Sequence, residues 1–300
     1  MNKNKNQEAA GSLLILLAGV LWGSMGLFVR RLSALGFDSL QITTGRLVFA
    51  ALFFWLILLF RPAEERRIRL HDLPLFLGLG LASILFFTVC YFSAIALMPL
   101  STAAILLYTS PIWVTLLSAL LFRERLNAVK LIALAMAFGG CVLVSGVGGG
   151  GLTPRGLLLG LGAGLGYGLY SILGTVALRR YSPFTVTAYT FLIAALGACC
   201  ICNPAEMLSL IGAAAPGRTV LFFLLTGLVT AVAPFLSYTL GLRSVEAGKA
   251  SILATVEPMV ATLFGVAVFH EALTLTAALG ILLILGAVVL LSLPNKKGSV

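Results

Sequence analysis

Residues 101–126, STAAILLYTSPIWVTLLSALLFRERL, and residues 248–273, GKASILATVEPMVATLFGVAVFHEAL, are two versions of one segment. Laid over each other at an offset of 147 residues without gaps, Ile105 falls on Ile252, Pro111 on Pro258 and Thr115 on Thr262. Phe122-x-Glu124-x-Leu126 falls on Phe269-x-Glu271-x-Leu273. The same offset pairs Gly80 with Gly227, Tyr91 with Tyr238, Gly139 with Gly286 and Ser145 with Ser292. Upstream, an offset of 145 pairs Gly19 and Gly23 with Gly164 and Gly168, and Trp22 with Tyr167. Matches at Leu and Ala are cheap in so apolar a chain; those at Pro, Tyr, Glu and Gly are not. The duplication covers nearly all 300 residues: a first unit at 1–147, a Gly-rich linker at 148–154, a second unit at 155–293 and a tail at 294–300.

Hydrophobic residues make up 60% of the chain and charged residues 10%. That is too little charge to cover a soluble surface. Apolar runs long enough to cross a bilayer, about 20 residues each, fall near 11–30, 39–60, 73–97, 101–122, 128–147, 155–178, 183–202, 219–242, 248–269 and 274–293. They lack the period-two alternation of a transmembrane barrel, and backbone groups in lipid must pair within their own segment. The sequence therefore predicts an all-α integral membrane protein of about ten transmembrane helices, five per unit. The first run ends at Arg30-Arg31 without a small-x-small cleavage site, so it reads as a retained helix and not as a signal peptide.

The formal charge is +10, and its placement is topological. With the amino terminus inside, fifteen Lys and Arg fall on the inner side, among them Arg61, Arg123, Lys130, Arg179 and Lys249. Four fall outside (Arg30, Arg31, Arg155 and Arg218), and Arg46 is left within a span. This bias predicts a multi-pass protein of the cell (plasma or inner) membrane with both termini cytoplasmic. It calls for no nucleic-acid partner. Five is an odd number, so the second unit is inverted relative to the first. The charges agree: Arg123, Arg125 and Lys130 become His270, Ala272 and Ala277, whereas Ala96 and Thr102 become Arg243 and Lys249. Two inverted halves supply two states open to opposite sides, the basis of alternating access.

Two charges lie inside spans, where ionisable groups are functional candidates by default. Glu257 sits near midplane, with Ala250, Ala254 and Ala261 expected on its face and Pro258 freeing carbonyls beside it. Arg46 lies about seven residues into the second span at 1.5 Å per residue, with Ser39, Thr43 and Ala50 on its face. A guanidinium fork suits a carboxylate. Glu257 suits a proton or a substrate ammonium. A structural ion pair or a buried polar network is the rival reading of both. Trp22, Tyr91, Tyr108 and Tyr238 complete the candidate substrate contacts, and Tyr167 and Tyr170 belong to the same polar-tipped aromatic set. The glycine ridge Gly156, Gly160, Gly164 and Gly168 reads first as a packing seam.

These features resemble the EamA family of the drug/metabolite transporter superfamily. The matching residues are Trp22-Gly23, Arg46, Pro111 followed by Glu124, and Glu257-Pro258 followed by Glu271. The resemblance implies ten helices around a central cavity and export or import of amino acids, other metabolites or drugs, driven by an ion gradient or by exchange. Ser110 stands where the second copy has Glu257, so a symmetric pair of buried acids is absent. The expected function is a secondary transporter, an exporter, of a small polar metabolite such as an amino acid. Its partners are that small-molecule substrate, the lipid bilayer, and a coupling proton or exchanged substrate. Alternatives are a multidrug or other metabolite transporter of the same fold, a channel, or a scaffold. A monomer and a homodimer stay equally open.

No enzyme is expected. His71 and His270 lie in loops, no HExxH occurs, and there is no P-loop. Cys90, Cys141, Cys199, Cys200 and Cys202 show no CxxC spacing and read as packing residues. No cofactor or metal is called for.

Overall fold

The computed structural model describes residues 2–146, 153–213 and 216–292. Most of the linker expected at 148–154 and the tail expected at 294–300 lie outside the described residues. Among the described residues, ten helices are long and apolar enough to cross a membrane. They are α1 (Asn6–Ser33), α2 (Ser39–Leu59), α3 (Leu70–Ile95), α4 (Leu100–Phe122), α5 (Ala128–Ser145), α6 (Pro154–Ala177), α7 (Pro183–Ile201), α8 (Pro216–Gly241), α9 (Ala247–Phe269) and α10 (Leu275–Ser292). The bounds follow the apolar runs closely. Where they begin has a local cause. Asp38 and Gln41 form a capping box at α2, and Asn127, Thr153 and Ser182 cap the first turns of α5, α6 and α7. Pro154 and Pro183 sit in first turns, where the missing N–H costs nothing. A further helix, Pro204–Ala213, fills what reads in the sequence as a joint between α7 and α8.

The packing obeys a twofold rule. α1 packs on α8 and α9; its counterpart α6 packs on α3 and α4. α2 packs on α7 and α5 on α10, each helix against its own counterpart. The glycines set these contacts. On α1, a Cβ at Gly19 would meet Val256 and the Ala254 carbonyl, and one at Gly23 would meet Val260 and the Glu257 carbonyl. On α6, Gly164 faces Thr109 and the Leu106 carbonyl, and Gly168 faces Val114 and the Ser110 carbonyl. Small residues thus let helices of different repeats approach backbone to backbone.

Both repeats are irregular at matching places. α4 breaks between Leu107 and Ser110, and α9 between Leu253 and Val256, just ahead of Pro111 and Pro258. α3 carries a π-helical stretch at Gly78–Leu85 and α8 one at Leu228–Val232. α1 also breaks, at Ser24. The break in α9 lies between Ala250 and Glu257, so it shifts the helical phase of Ala250 relative to Glu257, whereas Ala261 stays one turn from Glu257 in the same half. Ala250 and Ala254 are buried, and Ala261 is exposed.

One end of the bundle is basic and cross-linked. Arg180 pairs with Asp72 at 2.8 Å, Lys249 with Glu8 at 2.8 Å, and the Arg179 guanidinium stacks 5.2 Å over Phe122. The second half of α4, Ser110–Phe122, packs here against the first half of α9, Ala247–Leu253.

Candidate functional site

Between the other halves of α4 and α9 lies a cavity of about 440 Å³, within the usual range for small-molecule sites. Trp22, Tyr167 and Phe235 form its floor, and Val29, Ser39, Ile95 and Leu100 line it near the helix ends away from the basic end. Five of the six predicted contact residues meet there: Trp22, Arg46, Tyr91, Tyr108 and Glu257. Each arrives from a different place in the fold: the α1 break, α2, the end of α3, the α4 break and the α9 break.

Arg46 is 4% exposed. Its Nη1 donates to the Met25 sulfur at 3.3 Å, a weak acceptor, and its Nε has no partner among the described residues. Across the cavity, a Glu257 carboxylate oxygen accepts from the Tyr167 hydroxyl at 2.9 Å. Among the described residues, Arg46 and Glu257 form no ion pair with each other or with any other group. An unpaired charge in a water-poor site is costly. Both charges face one space large enough for a small molecule. The structural ion pair weighed from sequence is therefore absent. The Tyr91 and Tyr108 side chains line the cavity without a hydrogen bond to protein among the described residues.

Tyr238 lies elsewhere. It is 3% exposed, its hydroxyl shares a hydrogen bond of 2.7 Å with Ser171, and its ring stands 5.4 Å from that of Trp22, behind the floor. Beside it is a second space of about 20 Å³, lined by Ser110, Ser171, Tyr238 and Ser251, room for roughly one water. Tyr170 bonds Thr239 at 2.7 Å in the same layer. Tyr91 and Tyr238 are repeat counterparts, yet one lines the open space and the other is packed beneath it.

The cavity also takes residues that sequence reasoning did not choose. Tyr167, which holds Glu257, was signalled as the repeat counterpart of Trp22. Phe87, Phe92 and Phe235 carried no signal, because a phenylalanine on a membrane helix reads the same whether it faces lipid or a cavity.

Two segments, 9–146 and 154–293, each match the family model described as "EamA-like transporter family". An uncharacterized transporter of Archaeoglobus fulgidus is 32% identical over 286 residues, 93% of this chain and 95% of that one. The uncharacterized transporter YwfM of Bacillus subtilis is 26% identical, covering 95% of each. The pseudopaline exporter CntI of Pseudomonas aeruginosa is 34% identical over 136 residues, 45% of this chain and 46% of that one. A solved crystal structure superposes with a TM-score of 0.77 at 22% identity, over 93% of this chain and 95% of that one, and shows the same fold.

Proposed function

The chain belongs to the EamA-like transporter family, and from that premise we propose that it exports a small zwitterion, an amino acid or related compound, by alternating access. One observation carries this reading: Arg46 and Glu257 face a common cavity and, among the described residues, spend their charges neither on each other nor on other ionic partners. A substrate carboxylate at Arg46 and a substrate ammonium at Glu257 complete both. The aromatic wall of Trp22, Phe87, Tyr91 and Phe235 takes the apolar part. When no substrate is bound, a proton on Glu257 serves the same balance, which is how the site couples to a proton gradient. The basic end is cytoplasmic by the positive-inside rule, and the cavity then faces outward. A relative named an exporter supports the direction.

The test is counterflow in proteoliposomes with amino acids selected by thermal shift. Arg46→Lys keeps the charge and loses the fork; apparent affinity is expected to fall at least tenfold. Unchanged affinity overturns the carboxylate assignment. Glu257→Gln is expected to abolish counterflow if the carboxylate holds the ammonium, and to spare counterflow but remove proton-driven accumulation if it carries only the proton. Wild-type behaviour in both assays overturns any role for Glu257 in transport.

A further inference from the structure

The basic end is shut by a carboxylate that crosses between the repeats. Arg123 ends α4 in a left-handed conformation, φ 57°, and turns the chain so that Glu124 points back along the bundle. The Glu124 carboxylate then accepts from the backbone N–H of Ala247 at 3.0 Å and of Gly248 at 3.3 Å, the first residues of α9. Free N–H groups and a positive dipole end make this a natural anion seat. Lys130 pairs with the same carboxylate at 2.5 Å, both side chains under 10% exposed, and reaches Glu246 at 3.4 Å.

The second repeat carries the same parts unassembled. His270 ends α9 with φ 55°, and Glu271 follows. By the offset of 147, its targets are the N–H groups of Leu100 and Ser101 at the start of α4, which have no side-chain cap. Glu271 instead pairs with exposed Arg30 at 2.5 Å. The cavity separates α4 and α9 at this end.

We propose that Glu124 and Glu271 are alternating latches of the transport cycle, each closing one end by capping the first turn of the pore helix in the other repeat. The state described has Glu124 engaged and Glu271 released. Moving to the opposite state breaks the Glu124 cap on α9 and forms the Glu271 cap on α4. The latches are unequal. Ala277 and Pro99 stand where the first has Lys130 and Glu246, so the cycle rests with the basic end shut. This inference depends on alternating access, but not on the substrate.

Side-specific labelling tests it. Ile95 lines the open cavity, and its counterpart Leu242 is 5% exposed in the shut half. Each is replaced singly by cysteine in a chain whose five native cysteines are changed to alanine, in lipid nanodiscs where a hydrophilic maleimide reaches both faces. With both latches present, the Ile95→Cys protein should label at least tenfold faster than the Leu242→Cys protein. E124Q should raise labelling at 242 several-fold and lower it at 95. Adding E271Q should bring labelling at 242 down again, because neither latch then holds. E271Q alone removes only an exposed pair, so it should fold, and should slow labelling at 242 several-fold. Rates that rise together at both positions in E124Q, or no slowing at 242 in E271Q, overturn the latch and leave the transport reading standing. A residue 242 that no variant ever exposes overturns alternating access and the latch with it.

Discussion

The two repeats share a backbone and differ in what they hang on it. Both break at the same place in α4 and α9, both end those helices on a left-handed residue, and both seat a glycine ridge against the break. At the break itself one repeat has Ser110, buried beside a water-sized space, and the other has Glu257, facing the large cavity. At the helix end one has Glu124 in a buried pair with Lys130 of its own repeat, and the other has Glu271 in a solvent-exposed pair with Arg30 of the opposite repeat. Symmetry supplies positions; the departures from it supply charge, and with it a preferred direction and resting state.

The largest difference in stability is expected at the two carboxylates. Lys130→Met leaves Glu124 buried without its cation, which costs about 3–5 kcal/mol in buried pairs. Arg30→Met removes an exposed partner of Glu271, worth at most about 1 kcal/mol. Thermal unfolding in detergent should show a large drop for the first and almost none for the second. Equal drops would mean that burial at the basic end is not what distinguishes the pairs.

The glycine seam gives a middle-sized contrast. Added methyl groups at Gly23 and Gly168 occupy equivalent positions. That at Gly23 meets the Glu257 carbonyl at 2.8 Å and Val260 at 2.7 Å, whereas that at Gly168 meets the Val114 side chain at 2.9 Å and the Ser110 carbonyl at 3.3 Å. Overpacking costs about 1–3 kcal/mol, so Gly23→Ala should sit at the upper end and also weaken ligand binding, by pushing Glu257. Gly168→Ala should lower thermal stability less. A ranking in the other order would show that α4 yields less readily than α9.

The left-handed residues that end α4 and α9 should show the smallest effect. Arg123→Gly and His270→Gly each relieve a positive φ, 57° and 55°, worth roughly 1 kcal/mol or less after the added freedom of the unfolded chain. The two shifts in melting temperature should match, since the backbone turn is shared. Unequal shifts would show that one turn is strained by its latch.

The spans were legible because lipid requires long apolar runs and tolerates few charges, so ten of them stand out in the sequence. Arg46 and Glu257 were legible for the same reason, as exceptions. Pro111 and Pro258 announced the helix breaks, but at the π-helical stretches Gly78–Leu85 and Leu228–Val232 the shared Gly80/Gly227 and Leu81/Leu228 are residues that ordinary membrane helices carry as well. The break in α9 separates Ala250 from Glu257, so an unbroken helical period did not carry their shared face through it. Tyr238 was indistinguishable from Tyr91 because the repeat equates them; which half is open belongs to the conformation and leaves no trace in composition.

The cross-repeat packing has a consequence for how the chain is made. α1 rests on α8 and α9, and α3 and α4 rest on α6, so the first repeat is delivered into the bilayer before most of its packing surfaces have anything to meet. Insertion and assembly are separated in time. The glycine faces of α1 and the buried guanidinium of α2 wait in lipid or beside the insertion machinery until synthesis has passed α9. Topology is settled helix by helix, whereas the cavity exists only once the last third of the protein has arrived.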